Sequence, residues 1–146
     1  MKFVAQRVSS ALLTVDGKPV SEIGGGLVVY FGVKTGDTQA LVEKCAEKIA
    51  RLRIFEDEDG KMNRSVLDVG GEVLLVSQFT LYGDARKGNR PSFTEAERPE
   101  RADELYALAA QQLRALGVSV KTGVFGAHMV ISQVNDGPVT IVYEVV

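Results

Sequence analysis

The sequence predicts an α+β fold, a curved and mostly antiparallel sheet covered by two helices. Two short apolar runs, residues 27–33 and 73–76, are rich in β-branched side chains and bounded by glycines, the pattern of strands buried on both faces. Two stretches, 38–55 and 99–116, place apolar residues at helical spacing with charges on the opposite face. Much of the rest alternates or carries turn residues, and many strands with two helices build layers of sheet and helix. With 146 residues, 45% of them hydrophobic, the chain can bury one real core, and neither a repeat nor a linker divides it. One domain over residues 1–146 is expected.

In chain order, residues 2–9 read as a first strand, with Arg7 the odd charge among apolar neighbours. Residues 11–15 form a second, Asp16-Gly17 supplies a hairpin turn, and residues 20–23 return from it. Gly24-Gly25-Gly26 invites a phosphate-loop reading. No Lys-Ser or Lys-Thr follows it and a strand comes next, so a flexible turn is expected. In residues 38–55, Leu41, Val42, Cys45, Ile49 and Leu52 share one helical face. Asp57-Glu58-Asp59-Gly60-Lys61 lacks the alternating ligands and closing Glu of a calcium loop and reads as a solvated turn. Residues 62–67 give a short strand leading to the central run. Pro99 fits the first turn of the second helix, Leu105, Leu108, Ala109 and Leu113 face inward, and Gly117 closes it. Strands over 118–122, 128–134 and 139–146 complete the set, the last two separated by a turn at Asn135-Asp136-Gly137-Pro138.

Composition narrows the function. A net charge of −2 argues against broad nucleic-acid binding, which needs a field of Lys and Arg, though not against a local basic patch. No segment approaches the roughly 20 apolar residues of a membrane span. Residues 1–7 turn polar too early for a signal peptide, so a cytoplasmic location without membrane contact is expected. Cys45, the single cysteine, reads as a small buried hydrophobe. His128, the single histidine, follows no nucleophile motif, and metal ligands are few, so no metal or cofactor is expected. An enzyme with this inventory works with backbone groups, Ser, Thr and Gln, on a substrate that is already reactive.

Such groups gather in residues 70–83. The buried run ends abruptly in Ser77, Gln78 and Thr80, interleaved with Phe79 and Leu81, which puts polar groups at the rim of a rigid scaffold. The glycine-rich loop that follows carries Arg86, Lys87 and Arg90 beside Tyr82 and Phe93. Phosphate partners next to aromatic faces suit a single-stranded nucleic-acid end. The plain alternatives are a strand that simply reaches solvent and a solvated loop. A competing functional reading is a non-catalytic dimeric RNA-binding module that stacks a nucleotide on Phe79 or Tyr82.

Two motifs then carry a resemblance. Ser77-Gln78-Phe79-Thr80-Leu81 resembles the first signature of the D-aminoacyl-tRNA deacylases, and Asn135-Asp136-Gly137-Pro138-Val139-Thr140 resembles their second, the Gly-cis-Pro motif. Gln6-Arg7-Val8, Gly60-Lys61-Met62-Asn63 and Arg90-Pro91-Ser92-Phe93 match in order, so the likeness spans essentially the whole chain. The Asn-Asp-Gly-Pro-Val-Thr form favours the D-specific branch, while Gly126 and His128 depart from the family's pattern.

The resemblance implies a barrel-like, three-layer β/β/α arrangement and a homodimer with two sites at the subunit interface. It implies no cofactor. The reaction implied is hydrolysis of the ester joining a D-amino acid, or misattached glycine, to the 3′ end of tRNA, with L-aminoacyl-tRNA rejected. Ser77, Gln78, Phe79 and Thr80 are then the catalytic stretch. Gly137 and Pro138, braced by Arg7, enter the other subunit's site to read chirality, and Phe125, Ala127 and Met129 line the pocket. Arg86, Lys87 and Arg90 are the candidates to meet tRNA. Thr80 is expected to position groups rather than attack, since no base stands beside it. Gly137, lacking a Cβ, is expected to leave room for the α-carbon of the substrate.

Overall fold

Two long strands organise the sheet in the computed structural model, which describes residues 1–145. They are β1 (Lys2–Val15) and β8 (Val130–Glu144), antiparallel along nearly their whole lengths. The other edge of β1 is shared. β3 (Gly26–Gly32) runs beside Lys2 to Val8, and β2 (Lys18–Ile23) beside Ala11 to Val15. β3 then pairs in parallel with β6 (Glu72–Ser77), and β6 in parallel with β7 (Ser119–Thr122). Across the remaining gap, the Ser21 hydroxyl donates to the Thr122 carbonyl at 2.5 Å and Lys121 Nζ donates to the Glu22 carbonyl at 2.6 Å. The sheet thus curls nearly into a barrel.

Two helices, α1 (Gln39–Arg51) and α2 (Pro99–Ala115), cover one outer face, so the expected α+β layering holds. Their buried Val42, Cys45, Ile49, Leu105, Ala109 and Leu113 meet Phe3, Leu27, Phe31, Val73 and Leu75 of the sheet. Burying such side chains contributes roughly 1.5–3 kcal/mol each before the entropy cost of ordering them. A second cluster of Val8, Leu13, Ile23, Val28, Leu74 and Val76 fills the barrel interior. The Cys45 thiol is fully buried, which pushes its pKa up to about 12. Neither helix is long and apolar enough to cross a membrane.

Several boundaries differ from the sequence expectation, each for a local reason. The two expected N-terminal strands are one, with the register of its pairing to β8 shifting on both sides of Val8, between Gln6 and Ser10. Helix α1 stops at Arg51 rather than 55, because Leu52 swings to ψ 122°. The chain beyond it forms β4 (Phe55–Glu56), paired with β5 (Met62–Arg64). The strand expected over 62–67 is cut short because Ser65 and Asp68 exchange side-chain bonds to each other's amides, at 2.8 and 3.1 Å. The acidic turn is built on Asp57, whose carboxylate accepts the amides of Asp59 and Lys61 at 2.9 and 3.0 Å and titrates below its usual range. Gly26 is a packing point. A Cβ there would lie 1.8 Å from the Glu72 carbonyl oxygen. The last strand begins at Val130 and continues through residues 135–138 as a bulge rather than a reversal. Val146, included in the expected strand, lies outside the described residues.

Candidate active site

Strand β6 delivers the first candidate segment. Val73 to Val76 are buried, and the Tyr106 hydroxyl of α2 donates to the Leu75 carbonyl at 2.6 Å, fixing the end of the strand against the helix. Burial pushes the Tyr106 pKa up to about 12, so it remains a donor at neutral pH. The Gln78 amide still bonds the Phe31 carbonyl at 2.8 Å. The chain then coils into a 3-10 helix (Phe79–Tyr82) instead of continuing as strand. It passes so close over Gly32 that a Cβ there would stand 3.0 Å from the Gln78 carbonyl and 3.1 Å from Leu81 Cβ.

Charges from the far ends of β1 and β8 clamp this coil. Lys2 Nζ donates to the Leu81 carbonyl at 3.3 Å and lies 4.9 Å from the centre of the Tyr82 ring. The Tyr82 hydroxyl donates to Glu144 at 3.3 Å. Tyr82 is therefore buried and offers no face to a nucleotide, contrary to the sequence reading. Phe79 does, being 54% exposed and packed edge-on against Phe93 at 5.2 Å.

Ser77 and Gln78 are half-buried, and Phe79 and Thr80 are exposed. The amides of Phe79 and Thr80 open the coil, so they have no intrahelical acceptor, and among the described residues no other acceptor meets them. The Thr80 hydroxyl accepts from the Gln78 side-chain amide. That partner is a donor, and it cannot act as a base.

The second candidate segment is the bulge in β8. Gln6 pairs with Thr140 and Val8 with Asn135, so Arg7 alone stands opposite Asp136, Gly137, Pro138 and Val139. Arg7 is 7% exposed. Its Nε donates to the Asp136 carbonyl at 3.0 Å and its Nη1 to the Ile54 carbonyl at 2.7 Å, with the Asp136 carboxylate 3.7 Å away. The charge that looked misplaced in an apolar strand thus ties the bulge to the segment after α1. Gly137 has φ +133°, and the Gly137-Pro138 peptide is cis. A Cβ on Gly137 would meet Val139 N at 2.8 Å, Val139 Cγ2 at 2.9 Å and Arg7 Nη2 at 3.2 Å. It would point into the bulge itself, so the expectation that the missing Cβ makes room for substrate is corrected.

The loop of residues 123–129 joins the first segment. The Gly123 amide reaches the Leu75 carbonyl at 3.4 Å, and Phe125, half-buried, packs 6.1 Å from the Tyr106 ring. Ala127 and Met129 are half-buried along the same loop, and His128 is exposed. In the basic loop, Asp84 and Ser92 exchange backbone bonds at 2.7 and 2.8 Å. Arg86 grips Asp84 with two bonds, 2.9 and 2.8 Å, which hold the Asp84 carboxyl at about 2. Arg86 is thereby engaged, whereas Lys87 and Arg90 are exposed and form no ion pair among the described residues.

One chain does not bring the two segments together. Ser77 is level with Phe31 and Phe3, while the bulge beside Arg7 is level with Leu27. That offset is roughly 13 Å along the strands, with about three strand spacings across the sheet as well.

Sequence reasoning missed several supporting residues: Lys2, Tyr106, and the pair Tyr30 and Gln133. The Tyr30 hydroxyl donates to Gln133 at 2.8 Å, and Gln133 donates to Gln6 at 2.8 Å and Asn135 at 2.6 Å, bridging the strands beside the bulge. Only the unusual polarity of Gln6 and Gln133 in alternating strands hinted at this.

Residues 4–144 match the sequence profile of the family described as D-Tyr-tRNA(Tyr) deacylase. A Thermomicrobium roseum protein named D-aminoacyl-tRNA deacylase is 62% identical over 141 residues, covering 97% of this chain and 92% of the relative. One of the same name from Desulfitobacterium hafniense is 57% identical, covering 99% and 97%. A solved structure described as "c-Myc DNA Unwinding Element Binding Protein" superposes with a TM-score of 0.94 at 45% identity over 99% of both chains. Another, described as a probable eukaryotic D-amino acid tRNA deacylase, shares the fold at TM-score 0.86 and 18% identity, over 99% of this chain and 98% of the other.

Proposed function

The chain belongs to the D-Tyr-tRNA(Tyr) deacylase family, and on that premise we propose that it hydrolyses the ester of D-aminoacyl-tRNA, releasing free D-amino acid and tRNA. The observation that carries this reading is the pair of unpaired amides on Phe79 and Thr80 at the exposed end of a rigid strand. Water adds to the ester carbonyl, its oxygen becomes an oxyanion, and these amides receive the charge. The bond to the terminal ribose oxygen then breaks, and that oxygen takes the proton. One well-placed oxyanion donor supplies roughly 2.7–4 kcal/mol, a sufficient aid for an ester already activated by its own ammonium and the neighbouring ribose hydroxyl.

Each site is completed by Gly137 and Pro138 of a second copy. Support comes from the separation of the two halves within one chain and from β8 itself, which among the described residues pairs only with β1 and leaves Val134 57% and Val142 66% exposed. The main-chain carbonyls of the Gly-Pro segment take the substrate ammonium, and the rigid frame leaves no room for an L side chain. Because the D side chain is not read, many D-amino acids enter, and glycine does too. Phe125, Ala127 and Met129 wall the pocket, and Lys87 and Arg90 meet the tRNA end in the cytoplasm.

The direct test incubates the protein with D-, L- and glycyl-tRNA and follows ester loss. Hydrolysis of the D and glycyl substrates with the L ester intact is expected. Binding of all three without hydrolysis would favour the non-catalytic RNA-binding module instead.

Thr80 has a positioning role, since its hydroxyl already accepts a bond from Gln78. Thr80→Ala is expected to retain deacylation within about tenfold, or about 1.4 kcal/mol, and no acyl-enzyme accumulates. Removing the terminal 2′-hydroxyl of the substrate costs more. A D-aminoacyl ester trapped on Thr80 and seen by mass spectrometry would reverse the assignment.

A further inference from the structure

We infer that the outer face of α1 is a docking surface for the phosphate backbone of the tRNA acceptor stem, serving the site that the same subunit's bulge completes. This rests on the deacylase reading above and adds where the RNA lies.

An open groove of about 750 Å³ runs along α1, bounded by Gln112 and Leu116 of α2 and by Tyr143 of β8. Four cations line it, Lys44, Lys48, Arg51 and Arg53, against two carboxylates, Glu43 and Glu47. Arg51 and Glu47 neutralise each other at 2.9 Å. Lys44, Lys48 and Arg53 are exposed and carry no ion pair among the described residues, a local surplus on a chain of net charge −2.

These cations are aimed. Lys48 Nζ lies 5.1 Å from the centre of the Tyr143 ring, at the wall of the groove formed by β8. Arg53 donates to the Asn63 side chain at 3.1 Å, which gives a use to the Gly-Lys-Met-Asn stretch that the catalytic reading left unexplained. Lys44 and Lys48 stand one turn apart, about 6 Å along the axis, near the spacing of neighbouring phosphates on one strand.

The groove also leads to the right place. Arg53 immediately precedes Ile54, whose carbonyl Arg7 holds together with the bulge. When the bulge enters the second copy's site, the cations behind it flank the mouth of that site. An RNA end bound there continues over Arg53, Lys48 and Lys44. Lys87 and Arg90, on the copy that supplies Ser77 to Thr80, flank the other side.

The test compares wild type with the double variant Lys44→Glu/Lys48→Glu on D-aminoacyl-tRNA and on 3′-(D-aminoacyl)adenosine, which has no stem. For tRNA, KM is expected to rise at least about tenfold with kcat within about twofold, and the salt dependence of log kcat/KM should flatten by about two units of slope. The adenosine substrate should be handled equally by both proteins. Binding of a fluorescent acceptor-stem hairpin ending in CCA provides a second readout, and the variant should bind it about tenfold more weakly. The double variant Glu47→Gln/Arg51→Gln, which removes a mutually neutralised pair and keeps the net charge of the groove, should change none of these. An unchanged KM for tRNA together with unchanged hairpin binding would overturn the inference, as would an equal loss on both substrates. Absence of wild-type hydrolysis on either substrate would instead refute the deacylase reading.

Discussion

Gly137→Ala is expected to lower kcat/KM for D-aminoacyl-tRNA by about ten- to a hundredfold, roughly 1.4–2.7 kcal/mol. The cause is local. A φ of +133° disfavours any L side chain, and the new Cβ would stand 2.8 Å from Val139 N and 2.9 Å from Val139 Cγ2. Relief requires the bulge to move, and the carbonyls meant for the substrate ammonium move with it, a displacement that misaligns the reacting ester. The global fold should survive, because Asp136, Gly137 and Pro138 are exposed and only Val139 of the bulge packs against a buried cluster. Useful L-activity should not appear, since a distorted frame opens no defined space for an L side chain. Kinetics on D- and L-aminoacyl-tRNA, with circular dichroism and sizing as controls, check this. Wild-type activity and selectivity in the variant would mean that the segment is only a bend in a strand.

Arg7→Met is expected to cost more, about two decades or beyond, because it releases the bulge altogether. It removes the donors to the Asp136 and Ile54 carbonyls and leaves the latter without its partner inside the protein, a defect worth about 1–3 kcal/mol of stability. The location of the loss is the informative part. Arg7 acts on the Gly-Pro segment of its own chain, whereas Gln78 belongs to the other half of a composite site. Mixing Arg7→Met with Gln78→Pro, which removes the amide bond to the Phe31 carbonyl and distorts the coil that presents the Phe79 and Thr80 amides, should form hybrid dimers with one intact site. Random exchange in a two-fold dimer gives about a quarter of wild-type activity. No recovery after demonstrated subunit exchange would mean that both halves serve the same chain, and the dimeric site would be abandoned.

Much of the architecture was legible because it is local. Runs such as Val73 to Val76 and the helical spacing of Val42, Cys45 and Ile49 announce their environment within a few residues. The misreadings share a non-local cause. Phe79 to Leu81 alternate polar and apolar like a strand, yet coil because the chain crosses over Gly32, far away in sequence. Asn135-Asp136-Gly137-Pro138 has the chemistry of a reversal, but β1 keeps both flanks in one strand. Tyr82 looked like a free aromatic face until Lys2 and Glu144 arrived from the chain's two ends. At the site, Arg7 was conspicuous as a lone charge, whereas its acceptors, Ile54 and Asp136, became visible only in the fold.

The size of the bulge has a consequence for which insertions and deletions the chain can survive. Side chains of a strand point alternately to either side, so Ile131 and Ile141, an even number of residues apart, would share a side in an unbroken strand. They do not. Ile131 packs into the barrel interior, while Ile141 and Tyr143 pack beneath the helices. Four residues of β8 face the single Arg7 of β1, an excess of three, and an odd excess inverts everything downstream. Losing one residue between Asn135 and Thr140 would turn Thr140 and Val142 toward the helices and expel Ile141 and Tyr143 into water. An exposed segment would ordinarily be free to vary in length. Here its parity is dictated by two cores, which it meets only through Val139, and only changes by pairs of residues leave both cores filled.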